Sequence, residues 1–175
     1  MSDALREEIE QLRIRNACVD SYNTYASSLD GKDWPKVRGC FADEVYIDYG
    51  DISASTGDPK VPRKADDWCE ILQGVINGFD ITRHAITNHR VHVVDGNVSC
   101  SAYLSADHVV FSDPAVPIAG AEDVVTVVGE YTNHYVEIDG QWKIWKSELA
   151  VDWSSGNMAL FPTALERSAA LKDGA

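Results

Sequence analysis

The residues most informative about the architecture are 81–111, which read ITRHAITNHRVHVVDGNVSCSAYLSADHVVF. Two apolar runs with strand-like alternation flank Asp95-Gly96, a dipeptide typical of two-residue hairpin turns. Successive strand side chains point to opposite faces, and the even positions of 98–110 are apolar with one exception, His108. The sequence therefore predicts a long antiparallel hairpin with one buried face, on which His108 needs a polar partner.

The rest of the chain predicts helices followed by further strands. A second Asp-Gly pair, Asp139-Gly140, separates two more β-rich runs, so four long strands form a meander. These strands are predicted near 81–94, 98–112, 122–138 and 142–153. Apolar periodicity predicts helices near 2–29, 33–41 and 64–79, a strand at 44–50, and a short last helix capped by Thr163. The fold class is therefore α+β, with the helices on one face of a strongly twisted sheet that curls into a cone.

Composition predicts one globular domain over residues 1–175. The 175 residues are 45% hydrophobic and 25% charged, which is close to the average for such domains. The net charge of −13 repels phosphate backbones and anionic lipid, so neither nucleic acid nor a membrane is an expected partner. The four cysteines lie in apolar runs without a CxxC pair, and no signal peptide or membrane span is recognisable. We therefore expect a cytoplasmic protein.

Three histidines lie close together in the sequence at His84, His89 and His92. In an undisturbed strand His89 faces away from the other two, which are about 26 Å apart. No shared metal is therefore expected, and the sequence contains none of the common cofactor or nucleophile motifs. His134 has no evident partner in the sequence.

Four residues are candidates for acid–base chemistry: Asp30, Tyr49, His84 and His108. Taken singly, each has an ordinary structural interpretation, such as an Asp-Gly helix stop or a buried tyrosine or histidine in the core. Taken together, they converge inside the predicted cone. A histidine held by an aspartate is a general base whose tautomer and orientation are fixed.

Several short motifs resemble a known family. LDGKDWPKVRGCFADEVYIDY at 29–49, TRH at 82–84, His108 and YVEIDGQWKIWK at 135–146 together resemble the scytalone dehydratase branch of the SnoaL-like, NTF2-like superfamily. The resemblance covers roughly residues 5–153. The Asp…His pair also resembles that of hexachlorocyclohexane dehydrochlorinase and that of bile-acid 7α-dehydratase. The latter has a tyrosine five positions before its aspartate, which Tyr25 matches.

The resemblance implies a cone-shaped α+β barrel with a deep apolar pocket, elimination chemistry without a metal or organic cofactor, and a homo-oligomer, with a trimer favoured over a dimer. Carried over by position, Asp30 orients a histidine, and His84 takes a proton next to a carbonyl or a phenol-conjugated carbon. His108 helps to protonate the leaving hydroxyl, and Tyr49 polarises the substrate oxygen. The implied substrate is a small hydroxylated compound, aromatic or polycyclic.

The sequence also departs from the scytalone dehydratase pattern. Leu29 stands where those enzymes have a second tyrosine, and Gly129 and Tyr131 stand where they have a serine and an asparagine. Scytalone itself is therefore not the expected substrate. Tyr25 and Tyr131 are the predicted replacement hydroxyls, while Leu29 and Leu104 are the predicted apolar contacts with the substrate.

Several functions remain open at this stage. The leading hypothesis is a dehydratase-type lyase, and the same residues also suit a carbon–carbon lyase that releases formaldehyde from a phenolic side chain. An isomerase or cyclase, or a non-catalytic ligand-binding module, is also compatible with the fold. Loops 50–63 and 112–121 and the tail near Met158 and Phe161 are expected to cover the pocket.

Overall fold

The structure is a computed structural model that describes residues 2–50 and 57–173. Its helices and strands follow in this order: α1 (Asp3–Asp30), α2 (Trp34–Gly39), β1 (Phe41–Asp48), β2 (Arg63–Lys64), α3 (Ala65–Ile76), β3 (Ile81–Val94), β4 (Asn97–Val109), β5 (Val124–Ile138), β6 (Gln141–Gly156) and α4 (Leu160–Asp173). A short 3-10 helix, Ala121–Asp123, precedes β5. The predicted sequence of helices and then long strands is confirmed.

The described strands form a six-stranded sheet in the order β2-β1-β6-β5-β4-β3. β1 runs parallel to β6, whereas the other neighbouring strands are antiparallel. The sheet is curled without being closed, and α1 and α3 pack on its inner face. The predicted α+β cone with a mostly antiparallel sheet is therefore confirmed.

Both predicted Asp-Gly turns connect long strands. Asp95 and Gly96 have φ values of 49° and 79°, and Asp139 and Gly140 have values of 51° and 73°. Positive φ at both central positions is the requirement of a type I′ turn, whose twist matches that of the flanking strands. These turns set the register of β3 with β4 and of β5 with β6.

A β-bulge in β3 changes which residues face the core. The register with β4 shifts just after Thr87, and Asn88 adopts a φ of 58°. His84, before the bulge, and His89, after it, therefore point to the same inner face. The prediction that His89 faces away from His84 is wrong, because it assumed an uninterrupted strand. The ring of His89 packs edge-on against Tyr22, with centroids 5.3 Å apart.

Element boundaries differ from the predicted ones by a few residues. The second helix ends at Gly39, and β1 begins at Phe41 rather than at position 44. The last helix begins at Leu160, so Thr163 lies within it and does not cap it. The Thr163 hydroxyl instead donates a hydrogen bond to the carbonyl oxygen of Ala159.

The main core lies between the inner face of the sheet and the helices. It combines one face of α1, including Cys18 and Tyr22, with the even-numbered residues of β4. All four cysteines are buried and free. Within the described residues, no helix has the length and apolar character needed to cross a membrane.

Candidate active site

Asp30 is the last residue of α1, and its carboxylate faces β3. Backbone hydrogen bonds close the end of the helix, where the amide of Gly31 donates to the carbonyl oxygens of Ser27 and Leu29. The Asp30 side chain is therefore not used to end the helix. Gly31 keeps a right-handed conformation, with φ of −82°, and the chain turns away at Lys32, which has φ of 55°. The carboxylate of Asp30 remains available to β3.

The Asp30 carboxylate accepts three hydrogen bonds from β3. Its Oδ1 lies 2.7 Å from Nδ1 of His84 and accepts from the hydroxyl of Thr82 at 2.9 Å. Its Oδ2 accepts from the backbone amide of His84 at 3.0 Å. The side chains of His84 and Asp30 are only 5% and 10% exposed. The predicted Asp30–His84 pair is thus present in a buried, fully oriented form.

These contacts fix the charge of Asp30 and the tautomer of His84. Burial raises the pKa of Asp30, but the hydrogen bonds from His84 and Thr82 outweigh it, and the net pKa lies below the ordinary 3.8. An ionised carboxylate only accepts hydrogen bonds. In the neutral ring, Nδ1 of His84 therefore carries the proton, and Nε2 keeps the basic lone pair. This is the arrangement that a general base requires.

His108 lies beside this pair on β4. It is in register with Thr82 of β3, and its ring is 5.4 Å from that of His84, nearly perpendicular to it. Two phenylalanines pack on His108, Phe79 at 5.0 Å and Phe161 of α4 at 5.2 Å between ring centroids. The structure thus brings Asp30, His84 and His108 together, with two phenylalanine rings packed on His108.

The environment of His108 keeps its ring neutral. Burial, reinforced by the nearby His84, lowers the pKa of His108 from 6.5 to about 4. Its Nδ1 is buried and has no hydrogen-bond partner among the described residues. At neutral pH, His108 therefore acts as a neutral N–H donor and not as a stored imidazolium.

The predicted tyrosines form a second cluster on the same inner face. The ring of Tyr49 packs against Tyr131 at 5.9 Å and edge-on against Trp68 at 5.3 Å, and Tyr25 packs against Tyr131 at 6.5 Å. The hydroxyl of Tyr49 lies 3.4 Å from that of Ser147. Burial raises the pKa of Tyr49, while hydrogen bonds from the neighbouring hydroxyls oppose this rise. All three tyrosines are therefore protonated donors at neutral pH.

The two clusters lie at different depths of the cone. Ala106 of β4 is opposite His84, whereas Ala102 is opposite Tyr131. Four residues along a strand correspond to about 13 Å. Leu104, buried between these positions, occupies the intervening stretch of the inner face. Tyr49, whose ring packs on Tyr131, therefore belongs to a different row of the inner face from His84.

Sequence analysis missed three polar partners, two in these clusters and one on the outer face of the sheet. Thr82 and Ser147 are 2% and 3% exposed and hydrogen-bond to Asp30 and Tyr49, respectively. Strand alternation places Thr82 on the same face as His84, so the TRH motif contained this signal. The third, Glu148, is the partner of His134, with Nε2 and Oε2 2.7 Å apart, and the expectation that His134 lacks a partner is wrong.

Three segments were predicted to cover the pocket, and the structure bears on each of them differently. Residues 51–56 of the predicted loop 50–63 lie outside the described residues. The loop at 112–121 is held by Asp123, which accepts from the backbone amides of Ser112 and Gly120. Phe161 contacts His108, whereas Met158 is 51% exposed.

Two clefts formed by described residues lie away from the dyad. One, of about 260 Å³, is on the outer face of the sheet and includes His92, His134 and Trp145. The other, of about 310 Å³, lies between α1 and the end of β3 and includes Arg15 and Val91. Neither is lined by Asp30, His84 or His108.

The described residues form a small α+β cone that holds a buried histidine–aspartate pair. Residues 10–148 match the profile of the SnoaL-like domain, and the chain belongs to this family. No curated protein matches the chain.

Solved structures share the fold at low identity. A protein named Kfla4162 from Kribbella flavida is 24% identical, with a TM-score of 0.70 over 83% of this chain and 95% of that one. Hexachlorocyclohexane dehydrochlorinase LinA-type3 from Novosphingobium barchaimii LL02 is 16% identical, with a TM-score of 0.68 over 86% and 94%. A candidate scytalone dehydratase from Novosphingobium aromaticivorans DSM 12444 is 18% identical, with a TM-score of 0.63 over 86% and 93%. The likeness establishes the shared fold.

Proposed function

We propose that the protein is a lyase that eliminates water from a small hydroxylated aromatic or polycyclic compound, with His84 as its general base. The observation that carries this proposal is the buried Asp30–His84 pair, whose Nδ1–Oδ1 distance is 2.7 Å. An imidazole oriented by a carboxylate accepts a proton, and the carboxylate stabilises the imidazolium that forms. The names of two structural neighbours, a dehydrochlorinase and a candidate dehydratase, agree with elimination chemistry.

The proposed reaction starts at Nε2 of His84, which takes a proton from a carbon next to a carbonyl or conjugated to a phenol. The electron pair of this C–H bond forms the new double bond as the C–O bond to the leaving hydroxyl breaks. The N–H of His108 donates a hydrogen bond to the leaving oxygen, and the His84 imidazolium delivers the proton that it took to that oxygen. The product is the alkene and one molecule of water, and the side chains supply every proton transfer.

The tyrosine cluster supports the binding of a distal oxygen. The hydroxyls of Tyr25, Tyr49 and Tyr131 are protonated, and the backbone row of Tyr131 lies about 13 Å along the sheet from the row of His84. A substrate that reaches both clusters is longer than one aromatic ring, which favours a polycyclic or substituted aromatic compound. Leu29 and Leu104, both buried, supply the proposed apolar contacts between its ends.

The test is a screen of hydroxylated aromatic and polycyclic compounds, with products identified by mass spectrometry in H2O and in D2O. We expect a product lighter by one water, and His84→Ala should lower turnover by at least about 10²-fold. His134→Ala is the matched control, because His134 has the same 2.7 Å contact with a carboxylate on the outer face. Equal turnover by wild type and His84→Ala contradicts the proposal.

The same screen separates the alternative reactions. A product lighter by formaldehyde identifies the carbon–carbon lyase, and a product of unchanged mass identifies an isomerase or cyclase. A compound that binds without turnover or deuterium uptake, in wild type and in Asp30→Asn alike, identifies a binding module.

A further inference from the structure

Thr82 is a buried polar residue to which the proposed chemistry assigns no role. It is 2% exposed, and its hydroxyl donates to Oδ1 of Asp30 at 2.9 Å. The same oxygen atom lies 2.7 Å from Nδ1 of His84 and accepts its hydrogen bond. Thr82 is also in register with His108 on the neighbouring strand. It therefore lies between the dyad and the second histidine.

The geometry restricts the carboxylate from both sides. Two donors share Oδ1, and the backbone amide of His84 holds Oδ2 at 3.0 Å. A carboxylate on a helix end rotates about its terminal bond unless both oxygens are held. The Thr82 hydroxyl holds the Oδ1 side independently of the histidine ring. The acceptor of Thr82 is therefore the group that orients the base, and not the backbone carbonyl that commonly satisfies a buried threonine.

We propose that Thr82 is a positioning residue of the histidine–aspartate pair. Its hydroxyl fixes the rotation of the Asp30 carboxylate, so that the neutral ring of His84 stays in the tautomer with the proton on Nδ1. The effect on turnover rests on the proposed function, whereas the effect on the tautomer does not.

The test compares Thr82→Val, which keeps the shape but removes the donor, with Thr82→Ser, which keeps the donor. The matched control is Thr126→Val, because Thr126 donates to Asp107 at 2.6 Å on the outer face of the neighbouring strands. Nitrogen-15 NMR of the histidine rings reports the tautomer, and carbon-13 NMR of the Asp30 carboxyl reports its titration.

In wild type, Thr82→Ser and Thr126→Val, we expect Nδ1 of His84 to carry the proton. In Thr82→Val, the tautomer with the proton on Nε2 should become detectable, and the pKa of Asp30 should rise because one stabilising donor is lost. With a substrate from the screen, kcat should fall about 10-fold with KM nearly unchanged, since orientation of the base affects chemistry more than binding. Thr82→Ser should restore most of this loss.

The outcomes of the two proposals are distinguishable. If the tautomer of His84 and the titration of Asp30 are the same in Thr82→Val as in wild type, the positioning role is overturned. If both change while no compound is turned over, the positioning role stands and the lyase proposal fails. If Thr82→Val does not fold, Thr82→Ala removes the same hydroxyl without the bulk of valine, and the same criteria apply to it.

Discussion

A histidine–carboxylate pair lies on each face of the sheet, and both pairs have a nitrogen–oxygen distance of 2.7 Å. On the inner face, Asp30 and His84 have side chains that are 10% and 5% exposed. On the outer face, Glu148 and His134 are 34% and 29% exposed. Distance alone therefore does not distinguish a candidate base from an ordinary surface pair.

The remaining partners of each carboxylate make the difference. The other donors to the Asp30 carboxylate are neutral, a hydroxyl and a backbone amide. The negative charge of Asp30 is therefore not neutralised by a second cation among the described residues. Glu148 is completed by the ammonium group of Lys146 at 2.7 Å, which neutralises it. Within the described part of the chain, no other cation shares the negative charge of Asp30, and the site is buried. An imidazolium that forms on His84 is therefore strongly stabilised by this carboxylate.

The largest expected effect is on turnover in Asp30→Asn. The amide nitrogen can donate to His84 and thereby place the ring proton on Nε2, which removes the basic lone pair. We expect turnover of the substrate found in the screen to fall about 10³-fold, within the usual range for acid–base catalysis. Turnover by Glu148→Gln should stay close to that of wild type, because Glu148 lies on the outer face of the sheet. Equal losses in the two variants would remove the distinction between the pairs.

The next effect concerns the pH dependence of stability. The folded pKa of His108 is lowered from 6.5 to about 4, so below pH 6.5 the unfolded chain binds a proton that the folded chain does not. The stability from the neutral ring is complete above about pH 6.5 and is lost as pH falls to about 4. This loss is about 3 kcal/mol at most. Urea unfolding across this range should show a flatter curve for His108→Phe.

His134→Gln sharpens that measurement, because it removes an imidazole from the outer face and leaves His108 in place. The part of the pH dependence between pH 6.5 and pH 4 that comes from His108 should remain in this variant. If His108→Phe keeps the wild-type slope, the buried ring is not held neutral.

A smaller effect is expected from Tyr49→Phe, which removes the hydroxyl beside Ser147 and keeps the ring contacts with Trp68 and Tyr131. Turnover should fall about 10-fold, the equivalent of one hydrogen bond to the substrate oxygen. Tyr46→Phe is the control, since Tyr46 packs edge-on against Trp145 and belongs to the outer face. A kcat/KM measurement on both variants decides whether the tyrosine cluster touches the substrate.

The smallest effect is that of Glu148→Gln on stability. The Lys146–Glu148–His134 contacts are partly exposed, and pairs of this kind contribute less than about 1 kcal/mol and are screened by salt. We expect the loss measured by urea unfolding to shrink further at high salt. A loss that is large and independent of salt would mean that the outer pair resembles the inner one.

The sequence predicts much of the fold because its signals are local. Asp95-Gly96 and Asp139-Gly140 specify turns of one type, and alternation along 98–110 identifies the buried face of β4. The prediction failed at Asn88, because a bulge reverses the inward face of a strand without an obvious change in hydrophobic pattern. The position of His89 was wrong for this reason.

The candidate site was predicted in part. Asp30 and His84 were paired through the family resemblance, since 54 residues separate them and no local signal joins them. The partner of His134 was missed for the same reason, as Glu148 lies on the neighbouring strand. The row of the inner face on which Tyr131 meets Tyr49 depends on strand register, which residue patterns alone do not give.

By itself, the sequence determined the α+β class, the turns, the buried face of β4 and the residue types available for acid–base chemistry. The tertiary structure decided which carboxylate contacts which imidazole and how far each pair is buried from solvent. The physical reason is that pattern and turn chemistry act over a few residues, whereas a pKa depends on every group within several ångströms. His108 is kept neutral by burial and by the nearby His84, and the phenylalanines that pack on it, Phe79 and Phe161, come from different parts of the chain.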